Sequence, residues 1–353
     1  MFSIFQKCLA ILRRNKDNSQ HFVYVTNQGS NSISQYRISA RGSLVPAAPA
    51  TIAAGTTPVY VASAPSCKYA YVANQGGNSI SQYRLTAHGS LELMAAPLTA
   101  GTSPVEIAID PAGRYAYVAN SSSNDVSQYV IGADGKLNAM SPATIETRLI
   151  PVAITVDPSG KYVYVANNSS NDISQYSISE NGSLAPMTPA TIVAGKAPRA
   201  IAVHPNGKYA YVVNRTSGDV AQYEITASGS LAPIATPVAA GKHPIAIVVS
   251  QSGRQAYVVN QNSNSISQFA IAANGCLVPL NPAVVASLVT PVSMAISSSG
   301  KYAYACNILS NDVSQYAIDD EGRLTAIPLN AWGDSTIKAE VSPRSVMSVE
   351  LKS

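Results

Sequence analysis

A short pattern of apolar and polar positions repeats seven times along the 353-residue chain. Each copy has a Tyr-Val-x-Asn core or a close variant, a polar turn, and a segment containing Ser-Gln-Tyr or a close variant, and in all but the first copy an apolar run precedes the core. A period of roughly 40 to 50 residues built from short strands is typical of β-propeller blades. The pattern therefore predicts seven blades. The asparagines that end the cores lie 46 or 47 positions apart, at Asn27, Asn74, Asn120, Asn167, Asn214, Asn260 and Asn307.

Residues 151–197 illustrate the strand order within one predicted blade. Four strand-like segments, named A to D, are separated by polar turns. Pro186 and Pro189 interrupt segment D, and prolines belong on an edge strand, where a missing N–H donor does no harm. Strand D should therefore form the rim of the propeller, and strand A should line its central channel. The four segments span residues 151–157, 162–166, 172–178 and 184–193.

The two ends of the repeat array complement each other. The first copy begins at strand B, near His21, and has no strand A. Residues 342–349, which follow the seventh copy, match strand A of the other copies. We therefore predict one all-β domain over residues 17–353, a seven-bladed β-propeller of four-stranded antiparallel blades. The C-terminal strand is expected to join the N-terminal blade and so to close the ring without a covalent bond.

Residues 1–16 precede the repeats and carry apolar side chains roughly on one helical face, followed by Arg13 and Arg14. A secretory signal has its charge before the apolar run, so this order favours a short amphipathic cap on the propeller. A membrane or partner contact and an export signal with a misassigned start stay open. A cytoplasmic location is favoured, and export is the alternative. The long link after Leu329, with Trp332, has no explanation in the repeat pattern.

The charge and the cysteine and histidine content of the chain argue against several classes of partner. Charged residues make up 12% of the chain, with a formal net charge of +4 and no Lys/Arg stripe, which argues against nucleic acid. The four cysteines and four histidines show no metal-ligand spacing, and no cofactor motif is present, so we expect neither a metal nor a cofactor. No segment reaches the roughly 20 apolar residues of a membrane-spanning helix. Rim prolines and a closed ring indicate a monomer.

Residues present in every copy are interpreted as scaffold. The strand B tyrosines should fill the space left by Ala and Val on the next blade, because both faces of a blade are buried. Asp and Ser exchange after the B–C turn, which favours a turn-stabilising hydrogen bond over acid–base chemistry. His204 should be a turn residue, because it occupies the position of Asp110 and Asp157 in other copies.

Positions at which the copies differ are the candidates for function. The D–A and B–C turns share one face, the top, where strand A enters the channel. Most residues there are small and neutral. The exceptions predicted to bind a ligand are Tyr60, Arg199, Arg215 and Arg344, with Glu106 and His243 as candidate catalytic bases. Such a mouth suits a small anion, because guanidinium pairs bidentately with carboxylate or phosphate. The alternative is a set of solvated loop charges, which would include Arg148.

The segment Pro-Arg-Ala-Ile-Ala-Val-His-Pro-Asn-Gly-Lys-Tyr-Ala-Tyr-Val-Val-Asn, residues 198–214, resembles the seven-bladed lactonase-like family. That family includes 6-phosphogluconolactonase-type and muconate-cyclising members and related YVTN-repeat surface proteins, and the resemblance covers residues 17–353. It implies Pro-Arg-His at the top of strand A and Asn-Glu after strand B. Here Arg199 is kept, but Ala200 and Arg215 stand in place of the His and the Glu. Arg344 also lacks a following His.

Three functions stay open from the sequence. The first is a non-catalytic scaffold that binds a small anionic ligand or a protein at the top face. The second is a lactone hydrolase, 6-phosphogluconolactonase-like, acting on an anionic sugar or organic-acid lactone. The third is a surface or secreted adhesion module. The first is favoured because the two residues best suited to polarise a carbonyl and activate water are missing.

Overall fold

The computed structural model describes residues 20–328 and 336–351, and β-strands are the only regular secondary structure among them. The first four blades follow one another along the chain, except that the last strand of the chain belongs to blade 1. Blade 1 contains β1 (Gln20–Asn27), β2 (Ser32–Ile38), β3 (Leu44–Ala53) and β31 (Pro343–Leu351). Blade 2 contains β4 (Pro58–Ser63), β5 (Tyr69–Asn74), β6 (Ser79–Leu85), β7 (Leu91–Leu93) and β8 (Leu98–Thr99). Blade 3 contains β9 (Pro104–Ile109), β10 (Tyr115–Asn120), β11 (Asp125–Ile131) and β12 (Leu137–Glu146). Blade 4 contains β13 (Pro151–Val156), β14 (Tyr162–Asn167), β15 (Asp172–Ile178) and β16 (Leu184–Val193).

The remaining blades have the same order of strands, and in blades 2, 5 and 7 the rim strand is split into two short pieces. Blade 5 contains β17 (Pro198–Val203), β18 (Tyr209–Asn214), β19 (Asp219–Ile225), β20 (Leu231–Pro233) and β21 (Val238–Ala239). Blade 6 contains β22 (Pro244–Val249), β23 (Gln255–Asn260), β24 (Ser265–Ile271) and β25 (Leu277–Ala286). Blade 7 contains β26 (Pro291–Ile296), β27 (Tyr302–Asn307), β28 (Asp312–Ile318), β29 (Leu324–Ala326) and β30 (Thr336–Lys338).

The predicted fold class is confirmed. Every blade is an antiparallel sheet in which neighbouring strands along the chain are hydrogen-bonded, with the strand that enters from the D–A turn on the inside. The inner strands contact each other around the channel. The strands with prolines in their interior, such as β16 with Pro186 and Pro189, lie on the rim, as the edge-strand argument predicts.

Closure of the ring follows the prediction as well. β31 pairs antiparallel with β1 over the full length of β1, from Gln20 opposite Leu351 to Asn27 opposite Pro343. Blade 1 is therefore assembled from both ends of the propeller sequence. Its innermost strand is held by non-covalent contacts: backbone hydrogen bonds to β1 and the buried side chains of Val346, Met347 and Val349.

The interfaces between blades confirm the packing role of the strand B tyrosines. In one interface Tyr164 and Ala166 of blade 4 pack with Ala210 and Val212 of blade 5, and all four side chains are fully buried. Each tyrosine also donates a hydrogen bond of 2.6–2.8 Å to a glycine carbonyl in the C–D turn of the next blade. The donors and acceptors are Tyr24 and Gly89, Tyr71 and Gly135, Tyr117 and Gly182, Tyr164 and Gly229, Tyr211 and Gly275, Tyr257 and Gly322, and Tyr304 and Gly42.

A second buried hydrogen bond joins each pair of blades. The strand C glutamine of every blade accepts a bond of 2.6–2.8 Å from the backbone N–H of the leucine that begins strand D in the next blade. In blade 4, for example, the Gln175 side chain accepts from Leu231 and donates to the carbonyl of Pro189 in its own rim strand. The glutamine amide thus pairs with one backbone group in its own blade and one in the next blade. Neither backbone group is left without a hydrogen-bond partner in the buried interface.

Turn residues behave as the repeat predicts. The strand B asparagine donates to the Asp or Ser at the start of strand C, as Asn167 does to Asp172 at 2.8 Å. His204 accepts from the Asn206 N–H at Nδ1 and donates from Nε2 to the Gly253 carbonyl of the next blade. Both sets therefore stabilise turns. The amphipathic segment, residues 1–16, and the link with Trp332 lie outside the described residues. Within the described ranges, no helix is long and apolar enough to cross a membrane.

Deleting residues 342–353 should abolish cooperative unfolding, because it removes β31 and leaves the inner edge of β1 unpaired. Urea denaturation followed by circular dichroism is the measurement. A chain that ends at residue 351 keeps β31 and is the control. A truncated protein that unfolds in one transition at the control's midpoint would contradict the prediction.

Tyr164→Phe should lower the free energy of unfolding by about 1–2 kcal/mol, because it leaves the buried Gly229 carbonyl without its hydrogen bond. Tyr162→Phe is the matched control. Tyr162 lies on the same strand as Tyr164. Its hydroxyl bonds to no described residue, so this change should cost less than about 0.5 kcal/mol. Urea denaturation measures both free energies of unfolding. Equal losses for the two substitutions would show that the hydrogen bond of the Tyr164 hydroxyl does not stabilise the fold.

Candidate functional site

Strand A enters the channel with the same backbone geometry in every blade. The residue before its first proline has a positive φ of 50–60°, and the residue after the proline is the extra residue of a β-bulge. Bulges re-aim side chains. Arg199 and Arg344 occupy bulge positions, and Tyr60 and Glu106 occupy the next position in their blades. The seven residues with positive φ are Thr57, Ser103, Ile150, Ala197, His243, Thr290 and Ser342.

These entry segments enclose a cavity of about 190 Å³ at the top of the channel. Tyr60, Glu106, Arg199 and Arg344 line it together, so the structure brings four of the six predicted site residues into one place. Apart from Gln75, the rest of the wall is apolar or small, with Ala200 and Ser293 among its members. The cavity is below the roughly 300–1,000 Å³ of sites for drug-sized molecules, which indicates a small ligand.

Glu106 provides the one carboxylate of the cavity wall. It lies deep in the molecule but keeps a part of its surface open to the cavity. Burial raises the pKa of this carboxyl to about 7, and the Tyr60 hydroxyl as hydrogen-bond donor, the Arg199 guanidinium and the Ile154 backbone act in the opposite direction. The same burial, together with Glu106, raises the pKa of Tyr60 well above its usual value, so Tyr60 stays a neutral donor. Near pH 7 Glu106 can therefore both accept and release a proton.

The two arginines give the cavity an excess of positive charge. The Arg199 guanidinium donates to the Val152 carbonyl of the neighbouring blade at 3.2 Å, which fixes its position. Burial and the nearby Arg344 lower the pKa of Arg199 to about 10, so it stays cationic at neutral pH. Burial and Arg215 lower the pKa of Arg344. Among residues 20–328 and 336–351, no carboxylate lies within 4.0 Å of either guanidinium. An anion would offset this unpaired charge.

The other two predicted residues, Arg215 and His243, lie elsewhere. They line a second hollow at the top, between blades 5 and 6, together with Lys242. Arg215 still acts electrostatically on Arg199 and Arg344, so the hollow adjoins the channel mouth. His243 does not line the cavity that contains Glu106. Arg148, the loop-charge alternative, pairs with Asp172 at 3.3 Å.

Sequence reasoning missed three contributors to these sites. The Val152 carbonyl positions Arg199, and a backbone group leaves no trace in the residue pattern. Lys242 and Gly218 line the second hollow. Gly218 did leave a signal, because the other six copies have Asn at its position in the B–C turn. In the part of the chain that the structure describes, no group of three or more His, Cys, Asp or Glu could hold a metal ion.

Comparison with known proteins places these features in context. The family model of the seven-bladed β-propeller lactonases matches residues 48–337. A candidate 6-phosphogluconolactonase from Bacteroides fragilis superposes with a TM-score of 0.83 at 22% identity, covering 96% of this chain and 100% of the other. Another, from Bacteroides uniformis, gives 0.81 at 23% identity over 94% and 100%.

A periplasmic gluconolactonase from Pseudomonas aeruginosa is similar too, with a TM-score of 0.77 at 21% identity over 94% of this chain and 99% of that one. At such identities the likeness between structures supports the fold alone. No curated protein sequence matches the chain.

Proposed function

The chain belongs to the family of seven-bladed β-propeller lactonases, and from this membership we propose that it hydrolyses a small anionic lactone in the channel cavity. The observation that carries the proposal is Glu106, a carboxyl with a pKa of about 7 that shares the cavity wall with the Arg199 guanidinium. Lactone hydrolysis needs a base for water and a positive group for the oxyanion, and the cavity contains both. The substrate class is a sugar or organic-acid lactone with a negative charge.

Each group has one task in the proposed reaction. The Glu106 carboxylate takes a proton from a water molecule, whose oxygen attacks the lactone carbonyl carbon. The carbonyl oxygen becomes an oxyanion, which a guanidinium of Arg199 or Arg344 stabilises. The bond between the carbonyl carbon and the ring oxygen then breaks, and the ring oxygen receives the proton from Glu106. One lactone and one water give one hydroxy acid, and the Glu106 carboxylate is regenerated.

Tyr60 and the second arginine complete the arrangement. The Tyr60 hydroxyl holds the carboxylate in place and stays neutral. With one guanidinium on the developing oxyanion, the other is available for the negative group of the substrate, which would explain why the cavity has two arginines and one carboxylate. Ala200 leaves room where the family resemblance implied a histidine, so Glu106 is the one base in this proposal.

A binding scaffold without turnover is the second candidate. The observation that favours it is the departure from the implied family pattern, with Ala200 and Arg215 at the positions of the His and the Glu. The same cavity would then bind a small anion and leave it unchanged. A surface or secreted adhesion module, a monomeric state and a cytoplasmic location stay predictions from the sequence alone.

The pH profile of kcat/KM should reflect Glu106. Its carboxylate form is lost as the pH falls through about 7, so kcat/KM should drop about tenfold per unit below that point. Glu106→Gln should lower kcat/KM by at least about 100-fold and remove this limb of the profile. Glu92→Gln, at an exposed rim pair with Arg84, is the control and should match the wild type. Full activity of Glu106→Gln would eliminate Glu106 as the base.

Arg199→Ala should lower kcat/KM for an anionic lactone about 10- to 100-fold, because it removes a charged hydrogen-bond donor from the cavity. Arg199→Lys should recover part of the loss, since it restores the charge without the bidentate geometry. Arg148→Ala, on the same face but outside the cavity, is the control. A wild type that turns over no lactone, yet binds an anionic lactone in an Arg199-dependent way by calorimetry, would favour the scaffold instead.

A further inference from the structure

Six of the seven blades share a hydrogen bond across the top face. An asparagine in the B–C turn, with φ between 47° and 59°, accepts from the backbone N–H of the residue that precedes strand A in the next blade. The N to Oδ1 distances are 2.7–2.9 Å. The pairs are Asn31 and Thr57, Asn78 and Ser103, Asn124 and Ile150, Asn171 and Ala197, Asn264 and Thr290, and Asn311 and Ser342.

Blade 5 is the exception, because Gly218 stands where the asparagine would be, opposite His243. The turn keeps the same backbone hydrogen bond, because the Gly218 carbonyl accepts from Ala240 at 2.9 Å, just as the Asn171 carbonyl accepts from Ala194 at 3.0 Å. The φ of Gly218 is also positive, at 74°. A Cβ at Gly218 would approach nothing closer than the Gly241 carbonyl at 3.7 Å. Crowding therefore does not require glycine here. The substitution removes a side chain and leaves the His243 N–H without its acceptor.

The space vacated by this side chain is part of the second hollow, which measures about 480 Å³. Arg215 and Lys242 line it, and its wall contains no Asp or Glu. Neither cation forms an ion pair with any described residue. In blade 4 the top-face arginine, Arg148, does pair with a carboxylate, Asp172, where one is within reach. The hollow thus combines two unpaired cations with an unpaired backbone donor.

We propose that this hollow is an oxyanion site, separate from the cavity around Glu106. One oxygen of the anion takes the position of the missing asparagine Oδ1 and accepts from the His243 N–H. The Arg215 guanidinium and the Lys242 ammonium bind the other oxygens, a combination that suits phosphate or carboxylate. The anion is either a free one or the charged end of a ligand whose other end lies in the channel, because Arg215 acts on both arginines of the channel cavity.

Calorimetric titration with inorganic phosphate tests the site directly. The wild type should bind phosphate saturably, and Gly218→Asn should weaken binding at least about tenfold by filling the hollow and capping His243. Asparagine accommodates a positive φ better than most residues, and its six equivalents adopt 47–59°, against 74° at Gly218. Lys242→Gln should weaken binding by about tenfold as well. Lys196→Gln is the matched control and should leave binding unchanged. Lys196 is exposed and precedes strand A of blade 5 as Lys242 precedes strand A of blade 6, but there the Asn171 side chain already accepts from the backbone N–H of Ala197.

Wild-type protein that binds no phosphate, or variants at Gly218 and Lys242 that bind it as tightly as the wild type, would overturn the proposal. Thermal melting of Gly218→Asn checks its fold, and Lys242→Gln gives an independent answer if that variant fails to fold. The titration needs no turnover, so its outcome is separate from that of the proposed lactonase activity.

Lactonase kinetics with Gly218→Asn distinguish a free anion from the charged end of a ligand in the channel. This experiment, unlike the phosphate titration, rests on the proposed lactonase function. A KM that rises for an anionic lactone and not for a neutral lactone assigns the hollow to the charged end of the substrate. Unchanged KM values for both lactones, together with weakened phosphate binding, assign it to a free anion.

Discussion

Contact between neighbouring blades is the constraint on which the rest of the structure depends. A single four-stranded blade has two apolar faces and cannot bury either of them alone. Each interface is completed by a tyrosine hydroxyl bonded to a glycine carbonyl and by a glutamine amide bonded to a leucine N–H, as Tyr164 and Gln175 show between blades 4 and 5. These bonds are buried, so the loss of either partner leaves a polar group without a replacement. The last interface, between blades 7 and 1, has the same pair of bonds, from Tyr304 and Gln315.

A scaffold that repeats the same two hydrogen bonds at every interface leaves its turns and strand ends free to vary. The tyrosine, glutamine and asparagine positions must stay the same in each blade for the ring to close. The extra residue of the bulge at the start of strand A can vary between blades, because it has no partner residue on strand B. Arg199 and Arg344 can therefore stand where other blades have valine or isoleucine, and all of these residues line the same cavity. Different residues therefore stabilise the ring and line the cavity.

Charge balance at the top face explains the properties of the site. Arg199, Arg344 and Arg215 act on one another, and Glu106 is the carboxylate within reach of this group. Burial keeps Glu106 partly protonated near neutral pH, although a guanidinium lies close by. The site consequently carries more positive charge than its own residues neutralise, and binding an anion lowers that electrostatic cost. The hollow beside it, with Lys242 and the uncapped His243 N–H, extends the same excess of positive charge across blades 5 and 6.

The architecture could be predicted from the sequence because the same local pattern of apolar and polar residues occurs seven times. Strand order, the rim position of the prolines, the buried tyrosines and the closing strand all follow from periodicity and from which residues an edge strand tolerates. The resemblance of residues 198–214 to the lactonase-like family also agrees with the family match. At the site, the repeat identified Tyr60, Glu106, Arg199 and Arg344 as deviations from a neutral background. Only the tertiary structure decided that these four share one cavity while Arg215 and His243 line another. The reason is physical: distances across the channel join residues from different blades, and burial, which sets the pKa of Glu106, depends on neighbours that lie far away along the chain.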